Sequence, residues 1–119
     1  MNLSEVSMYK ACLLHSRAER VLKGYVSRQL EEWDITRMEW LVLASVAESP
    51  KTPAGHTMGE IADQLDVRLS QLTALVARMI ANGLVTQKTA DHDRRTRYLS
   101  ITPRGRKFLD DIEHNMRSA

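Results

Sequence analysis

Apolar residues recur at helical spacing in five stretches of this chain and crowd into two short β-prone runs near its end. From Ser4 or Ser7 to about Glu32, Met8, Ala11, Leu14, Ala18, Val21, Leu22 and Tyr25 form one stripe of a long helix. Gly24 lies inside it and permits a bend. A second helix starts at Ile35–Glu39, where Thr36 and Glu39 have capping-box spacing. Its Trp40, Leu41, Val42, Leu43, Ala44, Val46 and Ala47 are apolar nearly all round, which predicts a helix at the centre of the fold. Ser49–His56 holds Pro50, Pro53 and Gly55 and reads as a loop. Thr57-Met58-Gly59-Glu60 is another capping box, opening a helix whose apolar face is Ile61, Ala62 and Leu65.

Asp66-Val67-Arg68 is a connector of helix-turn-helix length. It leads into Leu69–Asn82, where Leu72, Leu75, Val76, Met79 and Ile80 make one stripe and Asn82-Gly83 closes the helix. The β-prone runs are Leu84–Lys88 and Tyr98–Ile101, with polar, arginine-dense Thr89–Arg97 between them. Thr102-Pro103 starts a last helix, carrying Phe108, Leu109, Ile112 and Met116 on one face. The fold class is mainly α with a small β-wing, a winged helix-turn-helix. Such a shape can put a helix in a major groove and the ribbon tip in the neighbouring minor groove.

Composition narrows the reading. At 119 residues and 43% apolar, the chain suits one globular domain. No stretch approaches the roughly 20 apolar residues of a membrane span, and no secretory signal pattern opens the chain, so a cytoplasmic location and no membrane partner are expected. One cysteine, Cys12, excludes an internal disulfide framework. His15, His56, His92 and His114 have no metal-ligand spacing, and Asp91-His92-Asp93 reads as a solvated turn, so no metal and no cofactor are expected. No nucleophile–base pair or phosphate loop points to an enzyme. Net charge is only +2, but its distribution is uneven. Lys88, Arg94, Arg95, Arg97, Arg104, Arg106 and Lys107 face only Asp91 and Asp93 in their segment, while Glu31 to Asp66 is acidic. Clustering at a turn favours a polyanion contact over an ordinary solvated face.

Opposite the apolar stripe of Leu69–Asn82 lie Ser70, Ala74, Ala77 and Ala81, flanked by Gln71, Thr73 and Arg78. The centre of this face is small and apolar. Base readout is therefore expected from Gln71, Thr73 and Ser70, with Ala74 against a thymine methyl and Arg78 on phosphate. The competing reading packs the alanine face on protein.

The order of elements and several motifs resemble the MarR (multiple antibiotic resistance regulator) family. The matching residues are Leu75-Val76-Ala77-Arg78-Met79, Asn82-Gly83-Leu84-Val85, Asp93-Arg94-Arg95 and Leu99-Ser100-Ile101-Thr102-Pro103-Arg104-Gly105, within a resemblance from about Leu14 to Leu109. The resemblance implies that Arg95 enters a minor groove and that Asp93 helps hold it. Lys88 and Arg97 flank the tip and are expected on phosphates. An ordinary surface ion pair of Asp93 with Arg94 or Arg95 is the alternative. Where the family often has a serine helix cap, this chain has Arg68. About 1–32 and 103–119 resemble dimerisation helices, and about 35–101 a DNA-binding lobe, all within one domain of 1–119. Relatives usually continue beyond the position of Ala119, so a dimer contact that is smaller, or that rests more on residues 1–30, is expected.

The resulting expectation is a homodimeric, sequence-specific DNA-binding transcriptional regulator on a pseudo-palindromic operator. It would be a repressor relieved by a small phenolic or anionic effector. Tyr25, Trp33, Met38 and Trp40 are candidates for lining an effector pocket, and core packing explains them equally well. A winged helix used as a protein-interaction module is the rival from another class. A third reading makes Cys12 a redox sensor, as in a hydroperoxide-sensing subgroup of the family, although Ser16 stands one turn on and is not a tyrosine. Against it stands Cys12 as a small buried hydrophobe.

Overall fold

Side-chain chemistry at the helix ends sets most element boundaries. In the computed structural model, which describes residues 7–50, 52–90, 92–93 and 95–118, the order is α1 (Met8–Glu31), α2 (Arg37–Ala47), β1 (His56–Thr57), α3 (Met58–Leu65), α4 (Leu69–Ala81), β2 (Val85–Thr89), β3 (Arg97–Ile101) and α5 (Pro103–Ser118). Ser7 caps α1 by accepting from the Lys10 amide at 3.2 Å, so of the two expected starts the later one stands within the described residues. Thr57 caps α3 by accepting from the Glu60 amide at 3.1 Å. Arg68 precedes α4 in an extended conformation with no side-chain cap, and the helix still begins at Leu69. The turn Asp66 that ends α3 is left-handed at φ 54°, a conformation aspartate tolerates better than most residues.

The chain divides into two compact units at Arg37–Met38. In the first, α1 runs unbroken for 24 residues through Gly24 and buries Leu30 alone of its residues. Met8, Leu14, Val21 and Leu22 are 78%, 52%, 71% and 62% exposed. The apolar stripe of α1, in a segment that resembles a dimerisation helix, is solvent-facing in the single chain. Its periodicity was helical because it is one face, but periodicity does not say what covers that face.

The second unit has its own core. Val42, Leu43 and Val46 of α2 meet Met58, Ile61 and Ala62 of α3 and Leu72, Leu75, Val76 and Met79 of α4, closed by Leu84, Val85, Leu99 and Leu109. Ile80, expected in the α4 stripe, is 39% exposed instead. It sits at the edge of the stripe, about 80–90° from its centre, where a helix surface turns toward solvent. Leu109 and the half-buried Phe108 bring the first half of α5 into this core, although 103–119 read as a dimerisation helix.

The wing is a three-stranded antiparallel sheet in the order β1-β3-β2, not a two-stranded ribbon. His56 pairs with Leu99 and Thr57 with Tyr98, while Val85–Thr89 pairs with Ile101–Arg97. The stretch read as loop to His56 thus ends in a strand. Two residues are too short to carry a period, and only pairing defines them. The buried His56 is fixed through Nε2, which donates to the Glu48 carbonyl at 2.7 Å.

At the root of the wing three elements converge. The end of α4 is a Schellman motif: the Gly83 amide donates to Ile80 and the Leu84 amide to Met79, with Gly83 at φ +73°. The Thr102 hydroxyl donates to the Gly83 carbonyl at 2.6 Å and accepts from the Gly105 amide at 2.9 Å, while its own amide donates to Leu84. A Cβ on Gly105 would overlap the Leu84 carbonyl oxygen and lie 2.9 Å from Ile101. Gly105→Ala should therefore destabilise the fold by about 1–3 kcal/mol through overpacking, outweighing the roughly 1 kcal/mol of helix propensity it gains. Urea unfolding checks this, and a stabilised variant would contradict the close approach.

Candidate nucleic-acid interface

The outer face of α4 is free of the core. Ser70, Gln71, Ala74, Ala77, Arg78 and Ala81 are exposed, and Thr73 is half-buried. Among the described residues, nothing covers the alanine face. Thr73 is less available than its composition suggested, because its hydroxyl donates to the Leu69 carbonyl at 2.8 Å. Leu69, the first residue of the helix and not among the expected readers, is 49% exposed. The sequence carried no signal for it: Leu69 stands three and seven residues before the buried Leu72 and Val76, at the spacing of the stripe.

The wing tip is built around Asp93. Its carboxylate accepts from the Arg95 amide at 2.9 Å through one oxygen and from the Thr96 hydroxyl at 3.2 Å through the other. The Thr96 amide donates to the Asp93 carbonyl at 3.1 Å, and the Ala90 amide donates to Thr96 across the ribbon at 2.9 Å. This is an Asx-type turn. Asp93 holds the peptide that carries Arg95, which is a different arrangement from a surface ion pair with its guanidinium. Asp93 and Arg95 are exposed, and Thr96 and Arg97 are half-buried. The expected contact Arg94 lies outside the described residues.

Arg95, Thr96 and Arg97 share a cleft of about 320 Å³ with Thr57, Met58 and Gly59 at the start of α3 and with Leu69. Wing, reading helix and preceding helix thus border one concavity. Lys88 is exposed on β2 and borders a different cleft with Pro53 and Tyr98. The basic segment expected from Lys88 to Lys107 does not act as one patch. The Arg106 guanidinium donates to the Ala47 carbonyl at the end of α2, at 3.1 Å. Lys107 pairs with Asp111 at 2.8 Å, and that hydrogen bond and charge raise its pKa. Within this segment, Arg106 and Lys107 therefore serve α2 and α5 and not the wing.

The remaining candidates fall in both units. Tyr25 is 37% exposed on α1, and Trp33 is half-buried in the turn after that helix. Met38 and Trp40, in the second unit, pack partly buried against its core. The Trp40 indole Nε1 is buried without a hydrogen-bond partner among the described residues. Cys12 is exposed on α1, so the buried-hydrophobe reading does not hold in the single chain. Among the described residues no helix is long and apolar enough to cross a membrane, and no His, Cys, Asp and Glu side chains gather in a metal-binding group.

The chain was compared with known proteins. A model of the MarR family matches residues 33–96, more than half of the chain. Over 80 residues the chain is 32% identical to the transcriptional activatory protein BadR of Rhodopseudomonas palustris, a stretch covering 67% of this chain and 45% of BadR. The chain thus spans less than half the length of that relative. The fold is similar to that of a MarR family transcriptional regulator from Rhodococcus sp. RHA1, with a TM-score of 0.80 at 22% identity, covering 99% of this chain and 78% of that one. It is also similar to the transcriptional regulator MOSR of M. tuberculosis, solved in complex with DNA, with a TM-score of 0.70 at 28% identity and coverage of 91% and 75%. On the family match, reinforced by this fold, the chain belongs to the MarR family of transcriptional regulators.

Proposed function

We propose that this chain is a DNA-binding transcriptional regulator that places α4 in a major groove and Arg95 in the adjacent minor groove. The observation that carries the reading is the Asp93 turn. Its carboxylate spends its hydrogen bonds on the peptide and hydroxyl of the tip, which presents Arg95 on a held support at the mouth of the cleft shared with α4. A guanidinium is weakly hydrated and suits the concentrated negative potential of a narrow minor groove. Lys88, Arg97 and Arg78 are proposed on phosphates, with Ser70, Gln71, Thr73 and Ala74 toward the bases. MOSR, solved with DNA, supports this use of the fold.

The chain is proposed to act as a homodimer on a pseudo-palindromic operator, its copies meeting along α1. A surface carrying Met8, Leu14, Val21 and Leu22 more than half exposed is costly to leave in water. Two copies related by a two-fold axis would cover it with its own equivalent. The direction of regulation is proposed as repression relieved by a small phenolic or anionic effector. BadR is named as an activator, and the sign depends on where an operator lies relative to a promoter. The buried, unpartnered Nε1 of Trp40 is the group an effector's phenolate or carboxylate oxygen would satisfy.

Binding to the chain's own upstream DNA and to random duplex, measured across a salt series with and without phenolic acids, tests the function. Tight, salt-steep binding that prefers the upstream DNA is expected, and a flat salt dependence would remove the DNA reading. Arg95→Ala should weaken specific binding about tenfold or more and lower the log–log salt slope by about 0.9 if a phosphate contact is also lost. Asp93→Ala poses a contest of signs. Removing a negative charge favours a polyanion, but freeing the tip adds an ordering cost to binding. The expected result is weaker binding despite the higher net charge, with Asp93→Asn intermediate. Tighter binding by Asp93→Ala would show that the turn does not preorganise Arg95. For the dimer, Val21→Glu combined with Leu22→Glu should yield a folded monomer in sedimentation analysis. A dimer of unchanged strength would place the interface elsewhere.

A further inference from the structure

In the first turns of α4, where a recognition helix usually meets base edges, the exposed Ser70 and Gln71 carry hydrogen-bonding groups, but Leu69 and Thr73 on the neighbouring flank offer no free donor. Leu69 opens the helix with 49% of its surface in solvent. One turn on, Thr73 has committed its single hydroxyl proton to the Leu69 carbonyl. Its oxygen is held against the helix backbone, so its methyl group is left as the other branch. Ala74 and Ala77 follow, both exposed. Gln71 and Arg78 lie on the far flank, roughly 160° around the helix from Leu69 and Thr73 at the 100° spacing of successive residues. The α4 side chain that lines the wing cleft, Leu69, is apolar.

Two observations decide what such a flank meets. Leu69 lines the same cleft as Arg95 and Arg97, so the occupant of this concavity must be tolerant of two guanidinium groups. That favours a polyanion over an apolar protein surface. In the major groove of DNA, one base edge carries an apolar group, the C5-methyl of thymine.

We propose that Leu69, together with the methyl of Thr73, reads thymine 5-methyl groups in the major groove and sets the sequence preference of this chain. The proposal rests on the DNA-binding reading above and goes beyond it by naming the residues and the chemical group recognised. Ala77, one turn beyond Thr73 on the same flank, extends the apolar contact. Gln71 and Arg78 then serve the other edge of the groove.

The test uses the full chain and a duplex enriched by it from a random-sequence pool, resynthesised with deoxyuridine in place of thymine. This exchange removes the methyl and leaves the minor-groove edge unchanged, so the contribution of Arg95 is not disturbed. The native chain should lose about fourfold in affinity for each contacted methyl removed. Leu69→Ala should bind the two duplexes more nearly alike, with helicity confirmed by circular dichroism. Thr73→Val, which keeps a methyl and loses the hydroxyl, should preserve the thymine preference, whereas Thr73→Ser should reduce it. Equal affinity of the native chain for both duplexes overturns the proposal, as does an undiminished uracil penalty in Leu69→Ala. Failure to enrich any duplex would overturn the DNA-binding reading itself, and this inference with it. Enrichment followed by indifference to uracil would overturn the inference alone.

Discussion

The close approach of Gly105 to the carbonyl of Leu84 is the constraint on which the rest of the second unit depends. One peptide group there serves the end of α4, the root of β2 and the start of α5 together. Its carbonyl accepts from the Thr102 amide, and the Thr102 hydroxyl binds the neighbouring Gly83 carbonyl while capping α5 through the Gly105 amide. A helix end, two strand ends and a helix start thus share their otherwise orphaned backbone groups. This leaves the sheet no freedom to pivot about α4 without breaking several hydrogen bonds at once, and a buried unsatisfied group costs about 1–3 kcal/mol.

The far end of the wing is held by different means. Where the root uses backbone approach, the tip uses one side chain, Asp93, whose bonds are exposed to water and individually weak. The result is a graded structure, firm at the base and lightly held at the end.

Much of this architecture was legible in the sequence because it depends on local chemistry. The Thr57 cap, the Asn82-Gly83 stop and the Thr102-Pro103 start are each written in two to four residues, and each appears at its expected place. The family resemblance pointed to Asp93 beside Arg95, and its carboxylate accepts from the Arg95 amide and the Thr96 hydroxyl. What escaped was non-local. Strand β1 exists only because Leu99 and Tyr98 lie beside it. Arg106 read as one more base in a basic run, and only folding brings it to the end of α2, 59 residues away in sequence. The α1 stripe was legible as a helix face, and its exposure in the single chain was not legible from periodicity. Leu69 has the spacing of the buried stripe, and only its place at the first turn of α4 leaves it 49% exposed.

A root that is fixed and a tip that is lightly held also define where this protein can change. The segment between Thr89 and Arg97 is bounded by paired strands, so paired insertions of two residues per strand would lengthen the ribbon while keeping each side chain on its own face of the sheet. A single-residue slip would turn every side chain to the opposite face. The reach of the wing is therefore an evolvable length that comes in discrete steps, and the grammar of those steps is set by strand pairing at one end and by the glycine at position 105 at the other.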